Sequence, residues 1–145
     1  MIRFIESAEE RKRIAREILE SLTDWFEVEE SREQYIAESA GQPFWASVDE
    51  DNIEGFLCLK ETVELAVMGV LRECHRKGTG RRLFEAAKEY AVRKGYEFIQ
   101  VKTVRSGVYE DYDITNAFYK SLGFKELEVL PDYWDEANPC QIYDS

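Results

Sequence analysis

The sequence is poor in the residues that build metal centres and disulfide frameworks. Its 145 residues include one histidine, His75, and three cysteines, Cys58, Cys74 and Cys140. The cysteines are odd in number and widely spaced, so they match no metal-ligand pattern, and a single histidine could not complete one. We therefore expect reduced thiols and no bound metal. Cys74 lies among basic residues, but a catalytic thiol there would have no second histidine as its base.

Long apolar runs and an excess of positive charge are also missing. No segment approaches the roughly 20 apolar residues of a membrane-spanning helix. The N-terminus passes directly into a short strand and a charged helix, so we expect no signal peptide, no membrane association and a cytoplasmic location. Thirty acidic residues against nineteen basic ones give a net charge of −11, which argues against nucleic-acid binding. The length suits a single domain, residues 1–145, as a monomer or a homodimer.

Basic residues nevertheless concentrate in one segment, where a glycine-containing loop at 75–80 (the basic loop) joins a strand to a helix. The apolar, β-branched run at 63–71 before it predicts a buried strand. Successive backbone N–H groups and the positive end of the helix dipole would converge on one point in such a loop. The sequence therefore predicts a small anionic ligand there, while the acidic remainder favours a cationic second partner. The basic residues of the segment are Arg72, Arg76, Lys77, Arg81 and Arg82.

Strands and helices alternate along the rest of the chain. We expect further strands at 2–5, 44–48, 53–60, 96–104, 124–130 and 140–144, with a loop at 131–139. Helices are expected at 7–22, 31–40, 79–94 and 113–122, with N-terminal capping signals at Ser7 and Ser31. The strand–helix–strand order around the basic loop implies a right-handed parallel crossover. This pattern indicates an α/β or α+β domain, with one mixed sheet and helices on both faces.

Two familiar nucleotide-binding patterns do not fit the basic loop. A dinucleotide fingerprint needs a third glycine where Leu83 stands. A P-loop needs a lysine after its last glycine, whereas Lys77 precedes Gly78. A turn that requires a glycine at positive φ remains the simplest alternative.

The segment 70–84 instead resembles the acetyl-CoA signature of the GNAT N-acetyltransferases, Gln/Arg-x-x-Gly-x-Gly/Ala after a central strand. His75 occupies the first position of that signature, and Arg76 beside it keeps the positive charge. Downstream, 116–124 resembles the family's Phe-Tyr-x-x-x-Gly-Phe helix end, although Tyr112 stands where an asparagine is frequent. The resemblance covers nearly the whole chain in element order. It implies a GNAT-like twisted sheet of about seven mostly antiparallel strands, with acetyl-CoA as co-substrate.

The resemblance also assigns residues to acetyl-CoA. The backbone of Met68 and Val70 would bind the pantetheine arm, where the central strand splays from its neighbour. The N–H groups of the basic loop would hold the pyrophosphate, and Arg81 would lie near the phosphates. The loop residues concerned are His75, Arg76, Lys77, Gly78, Thr79 and Gly80.

Catalytic roles follow from the same resemblance. Tyr119 matches the family's general acid, and a phenol with a pKa near ~10 stays protonated at neutral pH. A tyrosine at a helix end whose hydroxyl bonds to backbone is the alternative. Glu64 lies where some of these enzymes carry a glutamate base, acting directly or through water; a solvated acid at the strand end is the alternative. The carbonyl oxygen would be polarised by a strand N–H near Met68 or Val70.

Two aromatic residues follow the first predicted helix, where this family varies its acceptor site. Trp25 and Phe26 are therefore candidate substrate-binding residues, or else a cover over the edge of the core. Aromatic rings among carboxylates suit an ammonium-bearing acceptor. The sequence thus predicts an N-acetyltransferase acting on a primary amine of a small molecule or peptide. A non-catalytic acyl-CoA-binding module is the alternative.

Overall fold

Seven strands and four α-helices make up the computed structural model, which describes residues 1–145. In chain order they are β1 (Ile2–Phe4), α1 (Ala8–Ser21), α2 (Glu29–Ser39), β2 (Phe44–Asp49), β3 (Asn52–Leu59), β4 (Leu65–Val70), α3 (Thr79–Arg93), β5 (Gln100–Val104), α4 (Glu110–Ser121), β6 (Lys125–Asp135) and β7 (Asn138–Asp144). A single 3₁₀ turn, Arg72–Cys74, follows β4. None of the helices has the length and apolar character needed to cross a bilayer.

The strands form two antiparallel sheets, in the orders β1-β2-β3-β4 and β5-β7-β6. The two sheets meet through one isolated parallel bridge, between Glu64 and Gln100. The α/β fold class and the parallel orientation of the strands flanking α3 are confirmed. The single continuous sheet is wrong in detail, because β4 and β5 diverge beyond that bridge. We call the opening between them the fork.

Helices cover both faces of the first sheet because its inner strands bury both sets of side chains. Along β3, Leu57 and Leu59 enter one core cluster, and Phe56 and Cys58 enter the other. The alternation follows from the two-residue period of a strand. The cluster on the first face includes residues of α3 and α4, namely Leu83, Phe84, Ala87, Ala91 and Tyr119. The cluster on the second face includes residues of α1 and α2, namely Ile14, Ile18, Leu19 and Ile36.

Helix starts agree with the sequence where a side-chain cap forms. The Ser7 hydroxyl accepts a hydrogen bond from the Glu10 N–H at 3.2 Å, so the predicted start of α1 is confirmed. The predicted start of α2 at Ser31 is wrong, because the helix begins at Glu29 without a side-chain cap. The acidic first turn complements the helix dipole there. Similarly, α4 begins at Glu110, and Asp113 instead accepts a hydrogen bond from the Gly107 N–H.

Two strand predictions near the C-terminal half need correction. The strand expected at 96–104 is confined to β5, and Phe98 is 48% exposed. The loop expected at 131–139 is mostly a β6–β7 hairpin. Pro131 is accommodated because β6 is an edge strand and its register against β7 is irregular after Leu130.

Candidate active site

The edge of β4 that faces the fork carries backbone groups that no neighbouring strand pairs. The Leu71 N–H donates to the Glu54 carbonyl at 2.9 Å, which fixes the phase of the β3–β4 ladder. Because bonded and non-bonded positions alternate in an antiparallel ladder, the backbone groups of Met68 and Val70 point away from β3. No strand pairs with this edge, since the only bridge to β5 is at Glu64, immediately before β4. An extended ligand could therefore hydrogen-bond along it.

The basic loop supplies a second set of free donors. Backbone N–H groups of residues 76–81 have no acceptor in the protein, and α3 has no side-chain cap. The first helical bond, from the Arg82 N–H to the Gly78 carbonyl at 3.0 Å, comes immediately after them. Adjacent unpaired N–H groups at a helix N-terminus create a positive potential for an anion. Free donors thus lie in the loop where the sequence predicts an anionic ligand.

The two glycines of the loop serve different purposes. Gly78 has φ 81°, a left-handed conformation that side chains disfavour. Gly80 has ordinary helical geometry, but a Cβ there would lie 2.6 Å from Phe118 Cζ and 3.0 Å from Met68 Cε. Gly80 thus allows α3 to pack against α4 at the fork. This packing role was not predicted from the sequence, although Phe118 in the downstream motif was an available signal.

Most arginines around the basic loop are engaged within the protein. Arg81 donates to the Ser121 carbonyl at 2.9 Å, at the C-terminal end of α4, and Arg82 donates to the Lys77 carbonyl at 3.1 Å. The side chains of Arg76 and Lys77 make no hydrogen bond or ion pair and are exposed. Arg76 also holds φ 63°. The free positive charge beside the unpaired N–H groups therefore comes from Arg76 and Lys77.

His75 and Trp25 connect the end of β4 to the start of α4. The His75 Nε2 lies 2.8 Å from the Val70 carbonyl oxygen, and its ring meets the Trp25 ring edge-on at 5.9 Å. The Trp25 indole N–H donates to the Asp111 carbonyl at 3.1 Å, and the Tyr112 hydroxyl donates to the Trp25 carbonyl. Trp25 therefore spans the mouth of the fork between two elements that are distant in sequence.

Arg72 and Phe26 hold the segment that follows α1 in place. Arg72 lies 4.5 Å from the centroid of the Trp25 ring and pairs with Asp24. Phe26 packs edge-on against Tyr35 of α2 at 6.1 Å. Both Trp25 and Phe26 are half-buried against the core cluster of α1 and α2. This burial fits a cover over the edge of the core, and the exposed part of each ring is still available to contact an acceptor.

The Tyr119 ring is fixed in the core, whereas its hydroxyl is free. Phe118, Phe124 and Tyr143 surround the ring, with centroids at 5.8, 5.5 and 6.0 Å. The hydroxyl makes no hydrogen bond in the protein, and it is not completely enclosed by protein atoms. Burial raises the pKa of Tyr119 above its ordinary value, so the phenol carries its proton at neutral pH. The alternative of a hydroxyl bonded to backbone does not occur.

Glu64 lies at the point where the fork closes, and both of its carboxylate oxygens are occupied. Oε2 lies 2.9 Å from Lys60 Nζ, and Oε1 pairs with Lys102 Nζ. Burial acts to raise the pKa of Glu64, but the hydrogen bonds and charges of the two lysines hold it below its ordinary value. The alternative of a solvated strand-end acid does not fit, because only 11% of the side chain is exposed. Neither lysine contact was predicted from the sequence.

Asn116 is another residue whose role was not foreseen. Its side-chain amide donates to the Val104 carbonyl at 2.8 Å, and its oxygen accepts from the Tyr143 hydroxyl. These bonds fix α4 to β5 and β7, and they position the helix that carries Tyr119. The motif that contains Asn116 was recognised, but its partners lie on strands remote in sequence.

The cysteines do not contribute reactive groups. All three are buried and free, and burial raises the pKa of Cys74, with Glu54 adding to the effect. No cluster of histidine, cysteine, aspartate and glutamate side chains suited to a metal ion is present.

Comparisons with known proteins identify a matching family model and several similar folds. The family model described as acetyltransferase (GNAT) domain matches residues 39–126. No curated protein sequence matches the chain. Among solved structures, a protein of Desulfovibrio desulfuricans described as an acetyltransferase of the GNAT family superposes with a TM-score of 0.82 at 18% identity, covering 100% of this chain and 97% of that one.

Two aminoglycoside acetyltransferases are also similar in structure. An aminoglycoside 6'-N-acetyltransferase complexed with coenzyme A gives a TM-score of 0.76 at 19% identity, over 100% of this chain and 96% of that one. The aminoglycoside 6'-N-acetyltransferase from Enterococcus faecium gives 0.73 at 18% identity over the same shares. At these identities the likeness establishes the fold.

Proposed function

Because the chain belongs to the GNAT family of acetyltransferases, we propose that it transfers an acetyl group from acetyl-CoA to a primary amine of a small molecule or peptide. The amine attacks directly in a ternary complex. One observation carries the proposal: the edge of β4 that lacks a strand partner opens towards the unpaired N–H groups of residues 76–81. Acetyl-CoA is a long, extended molecule with a pyrophosphate at one end, which suits such a pair of sites.

Acetyl-CoA would occupy both sites at once. Its pantetheine amides would bond to the backbone of Met68 and Val70, and its pyrophosphate would bond to the N–H groups of the basic loop. Arg76 and Lys77 would add charge, because no protein group neutralises them. Arg81 would contribute only after leaving the Ser121 carbonyl. The proposed cofactor-binding residues are Met68, Val70, His75, Arg76, Lys77, Gly78, Thr79, Gly80 and Arg81.

Two proton transfers accompany the reaction. The attacking amine loses a proton, the C–N bond forms as the C–S bond breaks, and the departing thiolate gains a proton. The free hydroxyl of Tyr119 supports its role as the proton donor. Glu64 stays our candidate base: it is ionised as a base must be, but a lysine would have to release one of its oxygens. A backbone N–H near Met68 or Val70 would polarise the acetyl carbonyl.

The acceptor would enter beside Trp25 and Phe26. Aromatic rings there and the overall charge of −11 support a cationic amine. The acetyltransferases of similar structure act, by their descriptions, on aminoglycosides, which are amines. We propose that residues 1–145 form one acetyltransferase domain, as a monomer or a homodimer.

A binding and turnover experiment tests the proposal. Acetyl-CoA should raise the melting temperature, and release of free thiol in the presence of an amine panel should exceed that without amine. The lysine contacts of Glu64 favour one alternative, a non-catalytic acyl-CoA-binding module. Binding without thiol release for every amine would support that module. No thermal shift at millimolar acetyl-CoA would reject both functions.

A further inference from the structure

Only one β-bridge joins the two sheets of the protein. It pairs Glu64, immediately before β4, with Gln100, the first residue of β5, and the strands diverge from there towards the basic loop. The free edge at Met68 and Val70 exists because of that divergence. Met68 lies four residues along the strand from Glu64, roughly 13 Å away at the usual rise. Any movement at the bridge therefore changes the width of the fork.

The side chain of Glu64 reinforces this bridge from two directions. Lys60 follows directly after β3, and its backbone N–H also donates to the Glu64 carbonyl at 2.8 Å. Lys102 belongs to β5, in the other sheet. The exposed fractions of the side chains are 11% for Glu64, 23% for Lys102 and 50% for Lys60. One carboxylate thus links three strands. Lys102, the more buried of its two partners, lies on the opposite side of the fork.

We propose that Glu64, Lys60 and Lys102 form an ionic clasp that fixes the width of the fork and thereby the affinity for acetyl-CoA. The clasp rests on the proposed function, because it assumes that acetyl-CoA binds in the fork. Lys60 and Lys102 are positioning residues, since they act on the cofactor site through the strands that they join. This role is separate from a base role of Glu64, and the lysine variants test it without removing the carboxylate.

Replacing Lys102 by methionine keeps the length of the side chain and removes its charge. We expect the Kd for acetyl-CoA to rise about fivefold, the size of a coupling between groups in one network. Lys60→Met should have a smaller effect in the same direction, because Lys60 is half exposed. Lys102→Arg keeps the charge and should restore most of the affinity. If Lys102→Met does not fold, the Kd of Lys60→Met for acetyl-CoA provides the test.

Matched controls separate the clasp from a general loss of stability. Lys12→Met breaks an exposed ion pair with Glu9 on α1 and should leave the Kd unchanged. Val48→Ala leaves a cavity in the core cluster that contains residues of α1 and α2, and it should lower the melting temperature without changing the Kd. Hydrogen exchange of amides in β4 and β5 should rise in Lys102→Met and stay unchanged in Lys12→Met.

The outcomes distinguish the clasp from the proposed function. If the wild type binds acetyl-CoA and Lys102→Met and Lys60→Met bind it equally well, the clasp is refuted and the proposed function stands. If the wild type does not bind acetyl-CoA, the proposed function fails and the effect on affinity fails with it. If Val48→Ala weakens binding as much as Lys102→Met, loss of stability explains the result and the clasp is rejected.

Discussion

Replacing Gly78 by alanine tests whether the proposed anion site depends on the left-handed backbone at this position. Gly78 has φ 81° and lies in the middle of the unpaired N–H groups of residues 76–81. A left-handed conformation costs an alanine about 1–2 kcal/mol relative to glycine. Space is not the obstacle, because the new Cβ would meet only the flexible end of Arg82, at 3.1 Å. The variant can relieve its strain by rotating the backbone, which turns the N–H groups away from a common point.

Gly95 provides a control with the same backbone strain at the other end of α3. Its φ is 89°, and a Cβ there would meet nothing within 4 Å. Gly95→Ala and Gly78→Ala should therefore lose similar stability, about 3–8 °C in melting temperature for a domain of this size. Only Gly78→Ala should weaken acetyl-CoA binding. We expect about a tenfold rise in Kd, which corresponds to about 1.4 kcal/mol.

Isothermal titration calorimetry with acetyl-CoA, at a temperature where both variants are folded, measures the difference. Thermal unfolding without ligand checks that the strain is matched. Wild-type affinity in Gly78→Ala would show that the loop conformation does not organise the anion site. Equal weakening in both variants would point to stability rather than to the loop, and would refute the reasoning as well.

Two further predictions concern the catalytic candidates. Tyr119→Phe should lower kcat at least tenfold and leave the Kd for acetyl-CoA unchanged, because the hydroxyl has no structural partner. Steady-state kinetics measure the effect, with Tyr90→Phe as a control remote from the site. Full turnover in Tyr119→Phe would exclude the acid role. Glu64→Gln should be less stable than the wild type at neutral pH, and the difference should shrink in acid. The pKa of Glu64 in the folded protein lies below its ordinary value near 4.5, so the ionised carboxylate stabilises the fold above that pH. This stabilisation is lost as the pH falls through the lower folded value. Melting temperatures from pH 7 to pH 3 test this, and a constant deficit would contradict it.

Local sequence signals predicted the elements that depend on a few neighbouring residues. The Ser7 cap forms a hydrogen bond within one turn, and the left-handed Gly78 ends a loop that leads directly into α3. The free N–H groups follow from the same short segment, since the first turn of a helix always lacks acceptors. The free donors of the basic loop were therefore predictable without knowledge of the rest of the fold.

Features built from distant segments were not predictable in the same way. Glu64 was identified as a strand acid, but its partner Lys102 is separated from it by 38 residues. Whether such a carboxylate is solvated, paired or free to act as a base depends on the neighbouring strand. The β6–β7 hairpin was missed for a related reason, because Pro131 normally signals a loop and only its edge position permits a strand.

His75 shows how a departure from the family pattern can be accommodated. The imidazole folds back to the carbonyl of Val70, the last residue of β4, and meets the Trp25 ring. A carbonyl oxygen has two lone pairs, so this contact leaves one for a ligand along the strand edge. The same ring also touches the wall proposed for the acceptor. In the proposed site, acetyl-CoA binding at Val70 and acceptor binding at Trp25 would thus share one side chain, and His75 would be the physical connection between the two halves.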